Sequence, residues 1–227
     1  MKLRARRPLH PLRVVGVLTA LVFLVLALAG PQASRLPARN ESSPIPRLPL
    51  DSGWRMQSSA KIFDAGAAIS LPAYNASAWY HISKPETVLA GLVENGVYPD
   101  PTFAKNLRQI PGASYSIGTM FANQDMPDDS PFRPSWWYRV EFPLPPGAPG
   151  DRTWLHLDGV NYRANVWLNG HRIASSDQVA GAYAIHELDI TSAARPGQTN
   201  ALALEIFAPH ANDLAITFVD WNPMPPD

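Results

Sequence analysis

Residues 154–170 read WLHLDGVNYRANVWLNG, and this stretch decides the fold. Residues 153–157 alternate around charged and polar side chains, the period of a half-buried strand. Asp158-Gly159 then looks like a strand-end turn. In residues 164–174, Asn169-Gly170 stands between Val166-Trp167-Leu168 and Ile173. Asn-Gly flanked by strand formers is the strongest short-range hairpin signal, because both central residues of that turn need positive φ. The stretch therefore reads as a strand, a turn and a β-hairpin.

The same pattern extends to both sides. Residues 136–142 (WWYRVEF) are rich in strand formers and run into the breaker Pro143-Leu144-Pro145-Pro146-Gly147. Residues 55–59, 78–82, 183–190, 201–207 and 214–219 complete a set of about eight strands at short spacing, the mark of an all-β sandwich or barrel. One helix is expected over residues 86–94, with Thr87, Leu89, Leu92 and Val93 along it and Gly96 as its stop. Residues 99–134 have no clear period and are expected to form long surface loops, where binding residues tend to sit.

Composition narrows the function. The chain has 227 residues with 19 basic and 19 acidic side chains, so the balance offers no electrostatic reason to bind nucleic acid. It has no cysteine, which excludes a disulfide framework, thiol catalysis and a Cys-ligated zinc site. Its 24 prolines, about twice the usual ~5% share, argue against a helical bundle.

Neutrality hides an asymmetry. Lys2, Arg4, Arg6, Arg7 and Arg13 fall in the first 30 residues, which hold no acid; the remainder has 14 basic against 19 acidic side chains, a net −5. Residues 14–29 carry no charge, and Ala27-Leu28-Ala29 fits a small-x-small exit. Residues 1–30 are expected to be a secretory signal peptide, cleaved after Ala29 or after Ala33. The alternative is an uncleaved membrane anchor, although a helix of this apolar run spans roughly 24 Å against the ~30 Å of a bilayer core. Both readings place the rest of the chain outside the cytoplasm: secreted, periplasmic, or held at the cell surface. Residues 31–49, with five prolines among Ser, Arg and Asn, are expected to be a disordered tether, and residues 50–227 the ordered domain.

No G-x-S-x-G, H-E-x-x-H, P-loop or G-x-G-x-x-G is present. The histidines beyond the leader, His81, His156, His171, His186 and His210, are dispersed and form no close ligand pair. Asp128-Asp129 lies in a Pro/Ser loop and reads as a solvated turn, with calcium binding the lesser reading. Neither a metal nor a cofactor is expected. Seven tryptophans in an exported β-sandwich suggest sugar stacking, but Trp136, Trp137, Trp154 and Trp167 lie inside strands and read as structural. Trp221 differs, since it follows a strand and opens the proline-rich end NPMPPD. Asn40-x-Ser42 and Asn75-x-Ser77 are glycosylation sequons.

Four stretches in register resemble the N-terminal domain of glycoside hydrolase family 2: residues 85–101 (PETVLAGLVENGVYPDP), 135–142 (SWWYRVEF), 154–170, and 219–227 (VDWNPMPPD). The first and last look most like the exo-β-glucosaminidase and β-mannosidase branch. The resemblance covers residues 50–227 and implies a galactose-binding-like jelly-roll β-sandwich. In the family the proline-rich segment continues into the sandwich's closing strand, then an immunoglobulin-like domain and a catalytic (β/α)₈ barrel. The sequence stops at Asp227, so the resemblance implies a sandwich lacking that strand. It also implies no catalytic residue here, because the family's two catalytic glutamates belong to the barrel. What carries over is a substrate contact: Asp227 matches the family's aspartate that reaches into the sugar pocket, with Trp221 and Asn222 on the same loop. The implied partners are β-linked glucosaminide or mannoside glycans and the further domains of the same enzyme. A free-standing carbohydrate-binding module is the rival reading, and a membrane-tethered interaction domain a third.

Overall fold

A computed structural model of the chain describes residues 2–6, 46–111, 128–209 and 213. In chain order the elements are β1 (Lys2–Arg6), β2 (Arg47–Pro49), β3 (Trp54–Ser58), α1 (Gly66–Ile69), β4 (Tyr80–Ile82) and α2 (Val88–Glu94). These are followed by β5 (Trp136–Pro143), β6 (Arg152–Leu157), β7 (Arg163–Leu168), β8 (His171–Ala174), β9 (His186–Asp189) and β10 (Thr199–Phe207). Short 3₁₀ turns occupy Ser59–Lys61 and Asn106–Gln109.

The strands form two antiparallel sheets, a larger one in the order β4-β3-β5-β10-β7-β8 and a smaller one in the order β2-β1-β6-β9. Their facing sides share one core. Trp54, Met56, Trp136, Tyr138, Val140, Val166 and Leu202 come from the larger sheet, and Leu155 and Leu157 from the smaller, with Leu48 packed against them. The described architecture is thus an antiparallel β-sandwich, as the spacing of strand signals led us to expect.

Residues 154–170 fold into the strand, turn and hairpin that their pattern predicts. Leu168 pairs with His171 across the turn, and Asn169 and Gly170 take φ of 51° and 92°. Asn169 also ties the turn to β10. Its side-chain amide donates to Ala193 O (2.8 Å) and to Asn200 Oδ1 (2.7 Å), and its Oδ1 accepts from Ala201 N (3.0 Å). Asn200 is likewise buried, and its amide donates to the carbonyls of Arg195 and Gln198. Every polar group of this buried pair is therefore occupied, the condition under which burial of amides is tolerated.

Boundaries differ where turns compete with strands. The expected strand at 78–82 starts at Tyr80, because Trp79 N closes a turn on Ala76 O. The one expected at 183–190 starts at His186, because Ala184 N bonds Gly181 O and leaves Tyr183 and Ile185 exposed. The expected helix starts at Val88, since Thr87 caps it by accepting from Ala90 N at 3.2 Å. Gly96 (φ 69°) ends it, with Val97 N on Leu92 O. Residues 47–49, assigned above to the tether, form β2, so pairing begins before residue 50. Residues 2–6, within the expected leader, form β1 between β2 and β6, with Leu3 opposite both Leu48 and Leu155. Residues 7–45 lie outside the described residues, as does the strand expected at 214–219.

The larger sheet is covered on its outer side too. Residues 59–79 fold back over it, and Ile69, Ala76 and Trp79 make a second, smaller core with Trp137 and Ala203. At Gly66 the covering chain lies so close to the sheet that a Cβ would stand 2.4 Å from the Trp167 ring. Burial on both faces explains why β5 reads as a continuous run of strand formers.

Candidate functional site

An open, largely apolar cleft of about 560 Å³ lies where β3 and β4 meet the loop that enters β5. The half-buried Tyr80 and Tyr98 supply aromatic surface, the buried Trp136 reaches the lining, and Lys61, Asp128 and Asp129 supply charge. The rings are held from below. Trp136 donates its indole N–H to Pro131 O (3.0 Å) and lies 6.4 Å from Tyr80, centroid to centroid. Tyr98 packs at 6.3 Å on Phe132, and burial pushes its phenol pKa up. Lys61 Nζ stands 5.9 Å from the Tyr80 ring centroid, a cation–π distance. Asp128 is fully exposed and meets Arg133 at 3.1 Å.

This arrangement suits the face of a ring-shaped polar ligand. Aromatic walls take its C–H surface, while rim carboxylates and the lysine take hydroxyl or amino groups. Asp128-Asp129 is the solvated turn that the sequence suggested. Among the described residues no group of three or more His, Asp or Glu could hold a metal ion.

The expected contact residues Asp227, Trp221 and Asn222 lie outside the described residues, as does His210. The described residue next to them in sequence is Asp213, buried and ion-paired with Arg163 on β7, whose guanidinium lies 5.3 Å from the Tyr162 ring. The remaining histidines stay apart. His156 sits between Asp158 (3.0 Å) and Glu187 (3.6 Å), and His81 and His171 are exposed. Trp136 and Trp137 are buried on opposite faces of β5, in agreement with a structural reading; Trp154 and Trp167 are half-buried. Sequence reasoning missed Tyr80, Tyr98 and Lys61, which come from a three-residue strand, a loop and a 3₁₀ turn and share no period.

Comparison with known proteins agrees with the architecture. The family model described as glycosyl hydrolase 2 galactose-binding domain-like matches residues 120–218. An exo-β-D-glucosaminidase of Amycolatopsis orientalis is 35% identical over 215 residues, which is 94% of this chain and 18% of that protein. One from Streptomyces avermitilis is 38% identical over 177 residues, 78% of this chain and 17% of that protein. The crystal structure of the Amycolatopsis orientalis exo-chitosanase CsxA superposes with a TM-score of 0.60 at 34% identity, covering 75% of this chain and 18% of that one. The chain thus spans about a fifth of the length of these relatives. With the sandwich and the sequence match in agreement, the chain belongs to glycoside hydrolase family 2, as its N-terminal galactose-binding-like domain.

Proposed function

We propose that the chain serves as the non-catalytic, sugar-side domain of an exported β-glycosidase of the exo-β-glucosaminidase type. One observation carries this reading: 35% identity over nearly the whole chain to a protein named for that activity. A weaker likeness, 26% over 163 residues, connects it to a mannosylglycoprotein endo-β-mannosidase of Lilium longiflorum. The reaction of the whole enzyme would be retaining hydrolysis of a terminal β-linked glucosamine, or of mannose in the second case. In that enzyme this domain walls the sugar pocket. Asp227 then accepts hydrogen bonds from two sugar hydroxyls at once, a task suited to a carboxylate, and Trp221 and Asn222 border it. The basic start and the uncharged run of residues 14–29 support export of the chain.

The chain alone is expected to leave an aryl β-D-glucosaminide untouched; turnover above the buffer rate would overturn the non-catalytic role. A second reading, a carbohydrate-binding module that works unaided, is favoured by the aromatic cleft of Tyr80, Tyr98 and Trp136. Calorimetric titration with chitosan oligosaccharides separates the two. Stoichiometric micromolar binding supports the module, and heat no greater than dilution supports the sugar-side domain.

A further inference from the structure

On the outer face of the larger sheet, register places three basic residues in one row: His81 on β4, Arg55 on β3 and Arg139 on β5. Arg55 and Arg139 stand directly opposite each other, and like charges so placed on neighbouring strands repel, so each of the two needs compensation. Arg139 has it. It is 5% exposed, donates to the carbonyls of Ile69 and Leu71 at 2.8 Å each, and is ion-paired with Glu141. That same Glu141 oxygen also accepts from Ala73 N. Arg55 has none. It is half-buried, and among the described residues its guanidinium makes no hydrogen bond or ion pair.

Arg55 lines an open polar cavity of about 480 Å³ together with Tyr74, Asn75, Ser77, Arg139 and Glu141. Glu141 is the one carboxylate in this lining, and its charge is already matched by Arg139. Asp64, beyond the lining, is engaged by the Tyr74 hydroxyl at 2.8 Å. The cavity therefore carries an uncompensated positive charge on a forked donor. Asn75 uses its Oδ1 on Ser77 N and keeps its amide N–H groups free. Glu141 keeps its second oxygen free to accept. A ligand that answers all of these groups has a carboxylate for the Arg55 fork and neighbouring hydroxyls for Glu141, Asn75 and Ser77.

We propose that this cavity is a binding site for a sugar acid, a hexuronate held by its carboxylate on Arg55 and by ring hydroxyls on Glu141 and Ser77. The volume falls within the range of small-molecule clefts. The site is separate from the aromatic cleft described above and does not depend on the function proposed there.

The test is NMR titration of the full chain with D-glucuronate, D-glucose and acetate as probes. Glucuronate is expected to shift the amides of residues 53–55 and 73–77 with millimolar affinity, with glucose and acetate at least about tenfold weaker. Arg55→Gln should weaken glucuronate about tenfold or more. Arg55→Lys, which keeps the charge but loses the fork, should fall between that variant and the parent. An unchanged thermal midpoint in Arg55→Lys keeps the comparison valid should Arg55→Gln fail to fold. The proposal is overturned if glucuronate shifts none of these amides, if Arg55→Gln binds it as the parent does, or if acetate or glucose binds equally well.

Discussion

The two faces of strand β5 do different work. Trp136, Tyr138, Val140 and Phe142 point into the core between the sheets, a mainly apolar contact to which Trp136 and Tyr138 add one hydrogen bond each, to the carbonyls of Pro131 and Glu86. Trp137, Arg139 and Glu141 face the covering layer. There Arg139 holds residues 69 and 71 by directed bonds to their carbonyls. One side stabilises the whole domain, and the other decides where one loop lies. The outer face also leaves polar groups free for a ligand, because directed bonding there is incomplete at Arg55.

Substitutions can break this contrast, and the largest effect is expected on the inner face. Trp54 is wholly buried and donates its indole N–H to Leu50 O at 2.8 Å. Trp54→Ala should cost about 3–5 kcal/mol, read as a drop in the thermal midpoint of the entire domain. Arg139→Leu should cost about 2–3 kcal/mol, because two carbonyls and Glu141 lose their donor. Its distinctive sign would be hydrogen exchange: residues 62–79 should lose protection while the inner strands keep theirs. Equal loss on both faces would erase the distinction drawn here.

Asn169 sits in the turn between β7 and β8 and ties it to β10. Asn169→Ala puts a methyl side chain at φ 51° and strips partners from Ala201 N, Ala193 O and Asn200. Urea unfolding should show a cost of about 2 kcal/mol with an unchanged slope.

The smallest effect concerns pH, at the carboxyl pair beside α2. Burial, and then the hydrogen bond to Glu94, raise the Glu86 pKa; the Ser83 backbone N–H lowers that of Glu94. Folded Glu86 holds its proton more tightly than the unfolded chain does. That contribution is complete below the ordinary glutamate range and is lost as pH rises through the raised value. Glu94 acts in the opposite sense, losing its contribution as pH falls through its lowered value. Glu86→Gln should therefore flatten the decline in thermal midpoint as pH rises above the ordinary glutamate range.

Much of the fold was legible because local chemistry and tertiary structure agree. Asn169-Gly170 demands positive φ wherever it stands, and Thr87 with Gly96 brackets α2 by capping alone. Short elements were not legible. β2 has three residues and α1 four, too few for a period to show, and α1 exists because Gly66 fits against Trp167. The candidate site was harder still. The Arg55–Arg139 pairing depends on register between residues 84 positions apart, and the aromatic cleft gathers Tyr80 of β4, Trp136 of β5 and Tyr98 of a loop. Alternation in WWYRVEF does place Arg139 and Glu141 on one face, the one hint that the sequence offered.

The function proposed for this domain is tested most directly by exchange. The whole chain, including β1 and β2, would replace the matching segment of the Amycolatopsis orientalis exo-β-D-glucosaminidase, and the rate on an aryl β-D-glucosaminide would be measured. The expected result is a folded chimera that turns over the glucosaminide, and that loses rate when Asp227 is changed to Ala. A folded chimera with no turnover, or one indifferent to Asp227→Ala, would contradict the role assigned to this domain.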